Sequence, residues 1–178
     1  MILDAFLQFD NAVSLAIAAG TQASTNEIDL GIASGIPSSA SGGGARDIGI
    51  GDDPALKLLV QVTTTFTSGG AGTLSVALQG AIDNGAGAAA AYSTWWVSPV
   101  YALATLNVGS RLFNADMPRP PDGVAIPRFI RLLYTVGTAT MTAGKVSSYL
   151  VLDRDEYSYQ GTDNSIIGGY PAGIVIAN

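Results

Sequence analysis

The sequence contains no cysteine and no histidine. Their absence excludes thiolate nucleophiles, Ser-His-Asp relays, disulfides and zinc sites built from thiolate or imidazole ligands. A catalytic site in this chain would have to consist of carboxylates, tyrosine, lysine, arginine or serine alone.

Charged side chains are also scarce, at 12% of residues, against roughly 25% in ordinary soluble proteins. The net charge is −6 and the sequence pI is near 4.3. The 8 lysines and arginines are scattered from Arg46 to Arg154, whereas a nucleic-acid-binding protein needs them clustered to neutralise phosphates. We therefore expect no nucleic-acid partner, and we expect other partners to cover part of this weakly charged surface.

Long apolar runs are absent. The runs Ala12–Gly20 and Gly85–Tyr92 fall well short of the roughly 20 residues that a membrane-spanning helix needs. The N-terminal stretch MILDAFLQFD carries acidic residues where a signal peptide requires lysine or arginine. We therefore expect no membrane partner and no signal peptide, and we expect the product to stay where it is made until it assembles or is released.

Apolar and polar residues alternate with a period of two through much of the chain, which predicts β-strands. In ALKLLVQVTTTF the residues predicted to share one face are Leu56, Leu58, Val60, Val62 and Phe66. In TLSVALQGAI they are Leu74, Val76, Leu78 and Ile82. Further strands are predicted near Met1–Phe9, Ala12–Ala19, Glu27–Leu30, Ser93–Ser98 and Asn107–Phe113. About eight to ten short strands with glycine-rich turns predict an all-β, antiparallel β-sandwich or barrel.

The segment Pro127–Asp153 predicts the clearest hairpin, two strands folded back on each other around a short loop. One face of its first strand is predicted to pack on the core, namely Ile130, Leu132, Tyr134 and Val136. The other face is partly apolar too, because it carries Leu133 on the first strand and Tyr149 and Val151 on the second. We therefore expect a loop, the tail or another chain to cover that outer face.

The alternation stops after Asp153, which predicts a β-sandwich domain at residues 1–153 and a C-terminal arm at residues 154–178. The arm is too apolar for a disordered solvated end. We predict that it docks on another chain, for example as a strand added to a sheet edge. The alternative is that it folds back over its own sandwich. In either case the docking side chains would be Ile166, Ile167, Tyr170, Ile174 and Ile176.

Three stretches of the chain invite functional hypotheses that ordinary structural roles explain better. The glycine-rich stretch SSASGGGARDIGIGDD lacks the spacing of either nucleotide-binding fingerprint and is interpreted as a surface loop. The acidic groups Asp52-Asp53 and Asp153, Asp155, Glu156 are interpreted as solvated loop charges, because adjacent residues on a strand face opposite ways. For the same reason Trp95 and Trp96 are predicted to face opposite ways, one into the core and one near the surface.

A resemblance to a known family rests on blocks that occur in a particular order. They are MILDAFLQFDNAV, STNEIDLG, RDIGIGDD, LKLLVQV, TLSVALQGAIDNG and PRFIRLLYTVGTATMTAGKVSSYLVLD. Together they resemble the jelly-roll capsid cement proteins of tailed bacteriophages, of the kind found on a Bordetella podophage head. The resemblance covers about Met1–Tyr157 and implies a jelly-roll β-sandwich outside a shell of HK97-like major capsid proteins. It also implies no catalytic residue, no metal and no cofactor.

The resemblance implies a structural virion protein, made in the host cytoplasm, that stabilises the outer surface of the head. Its expected partners are the major capsid protein and a further copy or two of itself, as a dimer or trimer. The predicted interface comprises the apolar arm residues together with Arg128, Arg131, Leu133 and Tyr149. Each arginine is equally well interpreted as pairing within its own domain, for example with Asp153.

Two other functions stay open on the sequence. One is a carbohydrate-binding β-sandwich of the discoidin or lectin type, because the strand RFIRL also resembles such domains and YSTWWVSP supplies aromatic side chains. The other is a carboxylate-dependent hydrolase, for which the acidic groups would have to be brought together by the fold.

Overall fold

Ten β-strands form the fold in a computed structural model of the chain, which describes residues 5–31, 56–118, 121–125 and 127–151. The strands are β1 (Gln8–Ser14), β2 (Gly20–Ala23), β3 (Ile28–Asp29), β4 (Lys57–Ser68), β5 (Thr73–Ala81), β6 (Ser93–Val97), β7 (Tyr101–Ala102), β8 (Arg111–Asp116), β9 (Phe129–Gly137) and β10 (Met141–Val151). Short 3-10 helices cover Ala5–Leu7 and Leu103–Thr105. Within these ranges no helix is long and apolar enough to cross a membrane.

The strands form two antiparallel sheets. The first sheet has the order β1-β10-β4-β8, and the second has the order β2-β9-β5-β6, with β3 also paired to β9 and β7 to β5. The pairing is nested, because β1 pairs with β10, β2 with β9, β4 with β8 and β5 with β6. The predicted all-β antiparallel sandwich is confirmed.

The core lies between the two sheets and takes apolar side chains from both. The period-two faces predicted from the sequence point into it, since each strand alternates between core and outer side. The fully buried members include Leu58, Val60 and Val62 of the first sheet and Leu74, Val76, Leu78, Ile130, Leu132 and Tyr134 of the second. The inner faces predicted for β4 and for the start of β9 are therefore confirmed.

The predicted hairpin of Pro127–Asp153 is wrong, although both of its strands exist. β9 lies in the second sheet between β2 and β5, and β10 lies in the first sheet between β1 and β4. The connection at residues 138–140 crosses from one sheet to the other. It is as short as a hairpin loop, so the sequence pattern does not distinguish the two connections. Crossing allows the apolar faces of both strands to pack against each other across the core.

Other strand boundaries also differ from the prediction. β5 ends at Ala81, so Ile82 lies beyond the strand and is 49% exposed rather than part of the core face. The predicted strands near 1–9 and 12–19 are replaced by β1 and β2, and the strand predicted near 107–113 begins at Arg111.

β1 pairs irregularly with β10, and Ala12 adopts a φ of 52° there. Its N–H donates to Ser147 Oγ at 2.8 Å. Such bulges discourage further pairing at a sheet edge.

Candidate functional site

Arg128 lies immediately before β9 and joins three elements at one corner of the second sheet. Its Nε and Nη2 donate to the two carboxylate oxygens of Asp29, on β3, each at 2.9 Å. Its Nη1 donates to Asp83, which follows β5. Its guanidinium carbon lies 4.8 Å from the ring centre of Phe129. The structure therefore places Arg128 in an ion cluster inside its own domain. Pairing with Asp153 stays a prediction, because Asp153 lies outside the described residues.

The charges in this cluster stabilise one another. The hydrogen bond from the Gly85 N–H is the largest cause that lowers the pKa of Asp83, and the Arg128 guanidinium lowers it further. Asp29 and then Asp83 raise the pKa of Arg128. A two-pronged pairing of guanidinium and carboxylate fixes orientation as well as charge. The Arg128 cluster consequently holds the loop after β5 against β3 and the start of β9.

Arg131 belongs to a second polar cluster, on the outer side of β9. Its Nε donates to Gln79 Oε1 at 2.9 Å. Its guanidinium lies over the ring of Tyr92, with 3.6 Å between guanidinium carbon and ring centre. The Tyr92 hydroxyl donates to Glu27. Burial, and then the Glu27 carboxylate, raise the pKa of Tyr92. The Arg131 stack thus combines a cation–π contact with hydrogen bonds across neighbouring strands.

Leu133 lies in an uncharged row across the outer side of the second sheet. Strand register pairs Ala23 with Leu133, Leu133 with Ala77, and Ala77 with Val97. Leu133 is partly exposed and Val97 is 57% exposed. The neighbouring row is also uncharged and consists of Thr21, Thr135 and Ser75. We call these two rows the neutral face.

Tyr149 lies on the opposite side of the sandwich from Leu133. In the first sheet, register pairs it with Gln8 on one side and with Leu59 on the other. Tyr149 is partly exposed, whereas Leu59 is 3% exposed. Leu133 and Tyr149 were predicted to share one outer face of a hairpin, and that prediction is wrong because their strands lie in different sheets. The two side chains cannot belong to one contact patch.

The two tryptophans do not face opposite ways as predicted, because β6 contains a bulge. Leu78 pairs with Trp96 and Gln79 with Thr94, so Trp95 is an extra residue in the ladder. A bulge interrupts the alternation of side chains. Both tryptophans are partly buried and pack against the core.

Trp95 is accommodated by the absence of a side chain at Gly80. A Cβ at that position would lie 2.0 Å from the indole ring. The ring borders a mainly apolar pocket of about 240 Å³ that also includes Ile82, Val124 and Pro127. The indole Nε1 is buried and has no hydrogen-bond partner among the described residues. Trp95 therefore closes the edge of the core rather than forming an open platform for a sugar.

A buried polar network, missed by the sequence analysis, ties the two sheets together. Asp10 on β1 is fully buried. Its Oδ2 accepts hydrogen bonds from the hydroxyls of Tyr134 at 2.6 Å and Ser148 at 3.0 Å. Its Oδ1 accepts one from the Thr25 N–H at 2.7 Å. The hydroxyls of Tyr134 and Ser148 lie 2.9 Å apart. Burial, and then the charge of Asp10, raise the pKa of Tyr134 well above its ordinary value.

These arrangements suit binding and structural support better than chemistry. Asp10 and Tyr134 are fully buried, so a substrate cannot reach them. In the part of the chain that the structure describes, no group of three or more acidic residues could hold a metal ion. The predicted arm residues Ile166, Ile167, Tyr170, Ile174 and Ile176 lie outside the described residues, as do the acidic groups at 52–53 and 153–156. Their interface role stays a prediction, as it does for the two arginines, Leu133 and Tyr149.

The fold is an antiparallel β-sandwich. Arg128 and Arg131, at the start of β9, contact side chains of their own domain. The outer side of the second sheet includes the neutral face. The model of the Bbp16 family matches residues 12–150. That match covers well over half of the chain, and the chain belongs to the Bbp16 family. The family name points to a protein of a Bordetella phage. No curated protein matches the chain at a significant level.

Proposed function

We propose that this protein is a capsid cement protein that binds the outer surface of a phage head and bridges neighbouring major capsid protein subunits. The observation that carries the proposal is membership of the Bbp16 family, over residues 12–150. A phage-protein family and an all-β fold fit a non-enzymatic structural protein. The virion, at the outer surface of the capsid, is the location that this function requires.

The sandwich is proposed to be of the jelly-roll type. A jelly roll is a long antiparallel ribbon rolled up so that early strands pair with late ones in two sheets. The nested pairing of β1 with β10, β2 with β9, β4 with β8 and β5 with β6 supports this proposal. The two shortest strands, β3 and β7, add to it without changing the order.

The contacts with the shell are proposed to be mainly apolar and backbone-mediated rather than ionic. Arg128 already pairs with two carboxylates, and Arg131 is stacked on Tyr92. The neutral face, by contrast, presents partly exposed Leu133 and exposed Val97 without a charge in either of its rows. Uncharged, partly apolar surfaces are typical of the buried centre of protein interfaces. The arm at 154–178 is proposed to add contacts to the shell or to a further copy of the chain.

Rebinding to stripped heads tests this function. Heads from which the decoration has been removed are incubated with purified protein and sedimented. We expect the protein to sediment with heads and to reach saturation. Failure to sediment with heads, or binding to glycans in place of heads, would favour the carbohydrate-binding alternative.

Because Leu133 and Tyr149 lie on opposite sides, charge substitutions can identify the face that binds. Leu133→Glu is expected to abolish sedimentation with heads, and Tyr149→Glu tests the opposite face in the same way. Ala104→Glu is the matched control, since Ala104 is exposed and belongs to the 3-10 helix Leu103–Thr105 rather than to a strand of either sheet. Equal binding by all three variants would contradict a contact through either face.

A further inference from the structure

The loop between β5 and β6 presents an Asn-Gly pair in an exposed, ordered turn. An antiparallel bridge between Asp83 and Ala89 closes the loop. The Asn84 N–H donates to the Ala88 carbonyl at 2.9 Å. Gly85 has a φ of 88°, and a Cβ placed on it would meet nothing within 4 Å. Gly85 therefore has no side chain of its own that would crowd its backbone nitrogen.

Two hydrogen bonds reach the side-chain amide of Asn84, and a third joins the adjacent Gly85 N–H to Asp83. The Gly85 N–H donates to Asp83 Oδ1 at 2.7 Å. The N–H groups of Ala86 and Ala88 donate to Asn84 Oδ1 at 2.8 Å and 3.4 Å. A carboxylate in contact with an N–H can take its proton as a general base. Two backbone donors on a carbonyl oxygen stabilise the negative charge that develops there during nucleophilic attack.

We propose that Asn84 is a site of self-promoted deamidation, in which its own loop supplies the base and the oxyanion donors. The Gly85 nitrogen forms a bond to Asn84 Cγ while its proton passes to Asp83. The Cγ–Nδ2 bond then breaks, and Nδ2 leaves as ammonia after taking a proton back from Asp83. The product is a cyclic imide. One water molecule opens it at either carbonyl, leaving aspartate or isoaspartate at position 84.

The surroundings distinguish Asn84 from Asn107, a second exposed asparagine that the structure describes. No hydrogen bond to a described residue holds Asn84 Nδ2, whereas Asn107 Nδ2 donates to the Ala104 carbonyl at 2.8 Å. Asn107 is followed by Val108, whose branched side chain crowds its backbone nitrogen. Asn107 is exposed in a turn as well, which makes it the internal control for Asn84.

The reaction would act on the Arg128 cluster. Imide formation removes the Gly85 N–H, which is the main cause of the low pKa of Asp83. Ring opening then adds a carboxylate, or a kinked isoaspartyl backbone, beside the carboxylate that pairs with Arg128. Deamidation would therefore loosen the contact between the loop after β5 and the start of β9.

The test is a time course of the full-length protein at neutral pH and physiological temperature. Peptide mapping by mass spectrometry and enzymatic methylation of isoaspartate measure conversion at each asparagine. We expect conversion at Asn84 to proceed at least as fast as in a synthetic peptide spanning residues 80–90, while Asn107 stays unmodified. Conversion slower than in the peptide would show that the loop protects Asn84 and would overturn the proposal.

Two variants separate the proposed chemistry from general loosening of the loop. Asp83→Ala removes the base and is expected to slow conversion roughly a hundredfold, the lower end of the range for a positioned acid or base. Arg128→Ala breaks the same ion pair but leaves the base, and it is expected to convert no more slowly than the wild type. Wild-type rates in Asp83→Ala, or an equal slowing in both variants, would contradict the role of Asp83.

Discussion

Replacing Tyr134 by phenylalanine removes one hydroxyl from the middle of the sandwich and leaves the ring in place. The hydroxyl donates to the buried carboxylate of Asp10 at 2.6 Å and lies 2.9 Å from Ser148 Oγ. Without it, the donors that Asp10 keeps among the described residues are the Thr25 N–H and the Ser148 hydroxyl. The substitution therefore leaves a buried charge with less compensation and creates almost no cavity.

The size of the effect follows from the kind of hydrogen bond that is lost. A hydrogen bond to a charged group stabilises a protein by about 1.5–3 kcal/mol, and a neutral one by about 1 kcal/mol. We therefore expect Tyr134→Phe to lower the free energy of unfolding by about 2–4 kcal/mol. For a chain of this size, that corresponds to a fall in Tm of roughly 5–15 °C.

Calorimetry and urea titration measure this change, with Tyr149→Phe as the matched control. The Tyr149 hydroxyl makes no hydrogen bond to any residue in the described ranges, so its loss is expected to change stability by less than about 0.5 kcal/mol. A Tm for Tyr134→Phe within about 1 °C of the control would refute the idea that the network stabilises the sandwich.

Tyr134→Phe is also expected to change how the free energy of unfolding depends on pH under alkaline conditions. The pKa of Tyr134 is raised in the folded protein, so the unfolded chain loses this proton first as the pH rises above about 10. Stability is therefore complete below that pH and falls above it, by up to about 1.4 kcal/mol per pH unit for each such group. Tyr134→Phe removes this contribution, and an unchanged alkaline slope would contradict it.

Two further substitutions test local features of the fold. Gly144→Ala is expected to lower the free energy of unfolding by about 2 kcal/mol or more, because the glycine has a φ of 139° and an added Cβ would lie 2.2 Å from the Phe66 ring. Gly109→Ala, with a positive φ but open space around it, should lose only about 1 kcal/mol. Equal losses in urea titration would contradict the clash. Arg128→Lys is expected to lower the Tm, less so in high salt, because lysine cannot form the two-pronged pair. Arg128→Lys should also make the free energy of unfolding depend less steeply on pH under acidic conditions. The lowered pKa of Asp83 contributes stability that is present above about pH 4 and lost as the pH falls further. A Tm loss that is independent of salt and pH would contradict the ionic account.

The core faces could be predicted from the sequence because strand periodicity is a local property. Leu58, Val60 and Val62 occupy every second position of their strand, and burial of one face follows from the geometry of a strand. The partition of strands between sheets is not local. Residues 138–140 would serve equally well as a hairpin loop or as a crossing between sheets, and only the partners of β9 and β10 decide which connection forms.

The polar clusters could not be predicted, because their members are distant in sequence. Asp10 is separated from Tyr134 by 124 positions and from Ser148 by 138, and nothing in the stretch FDN signals burial of a carboxylate. The bulge at Trp95 likewise depends on the missing side chain of Gly80 on the adjacent strand. The Arg128 cluster was partly anticipated. Pairing within the domain was one of two interpretations, but its carboxylates come from β3 and from the loop after β5.

The stability of the head with and without the protein tests the proposed cement role most directly. Heads stripped of decoration are heated with saturating protein, with the Leu133→Glu variant, or alone, and release of DNA is followed by dye fluorescence. The account predicts that wild-type protein raises the temperature of DNA release and that the variant does so less or not at all. Wild-type protein that saturates the heads but leaves the release temperature unchanged would contradict a cement function.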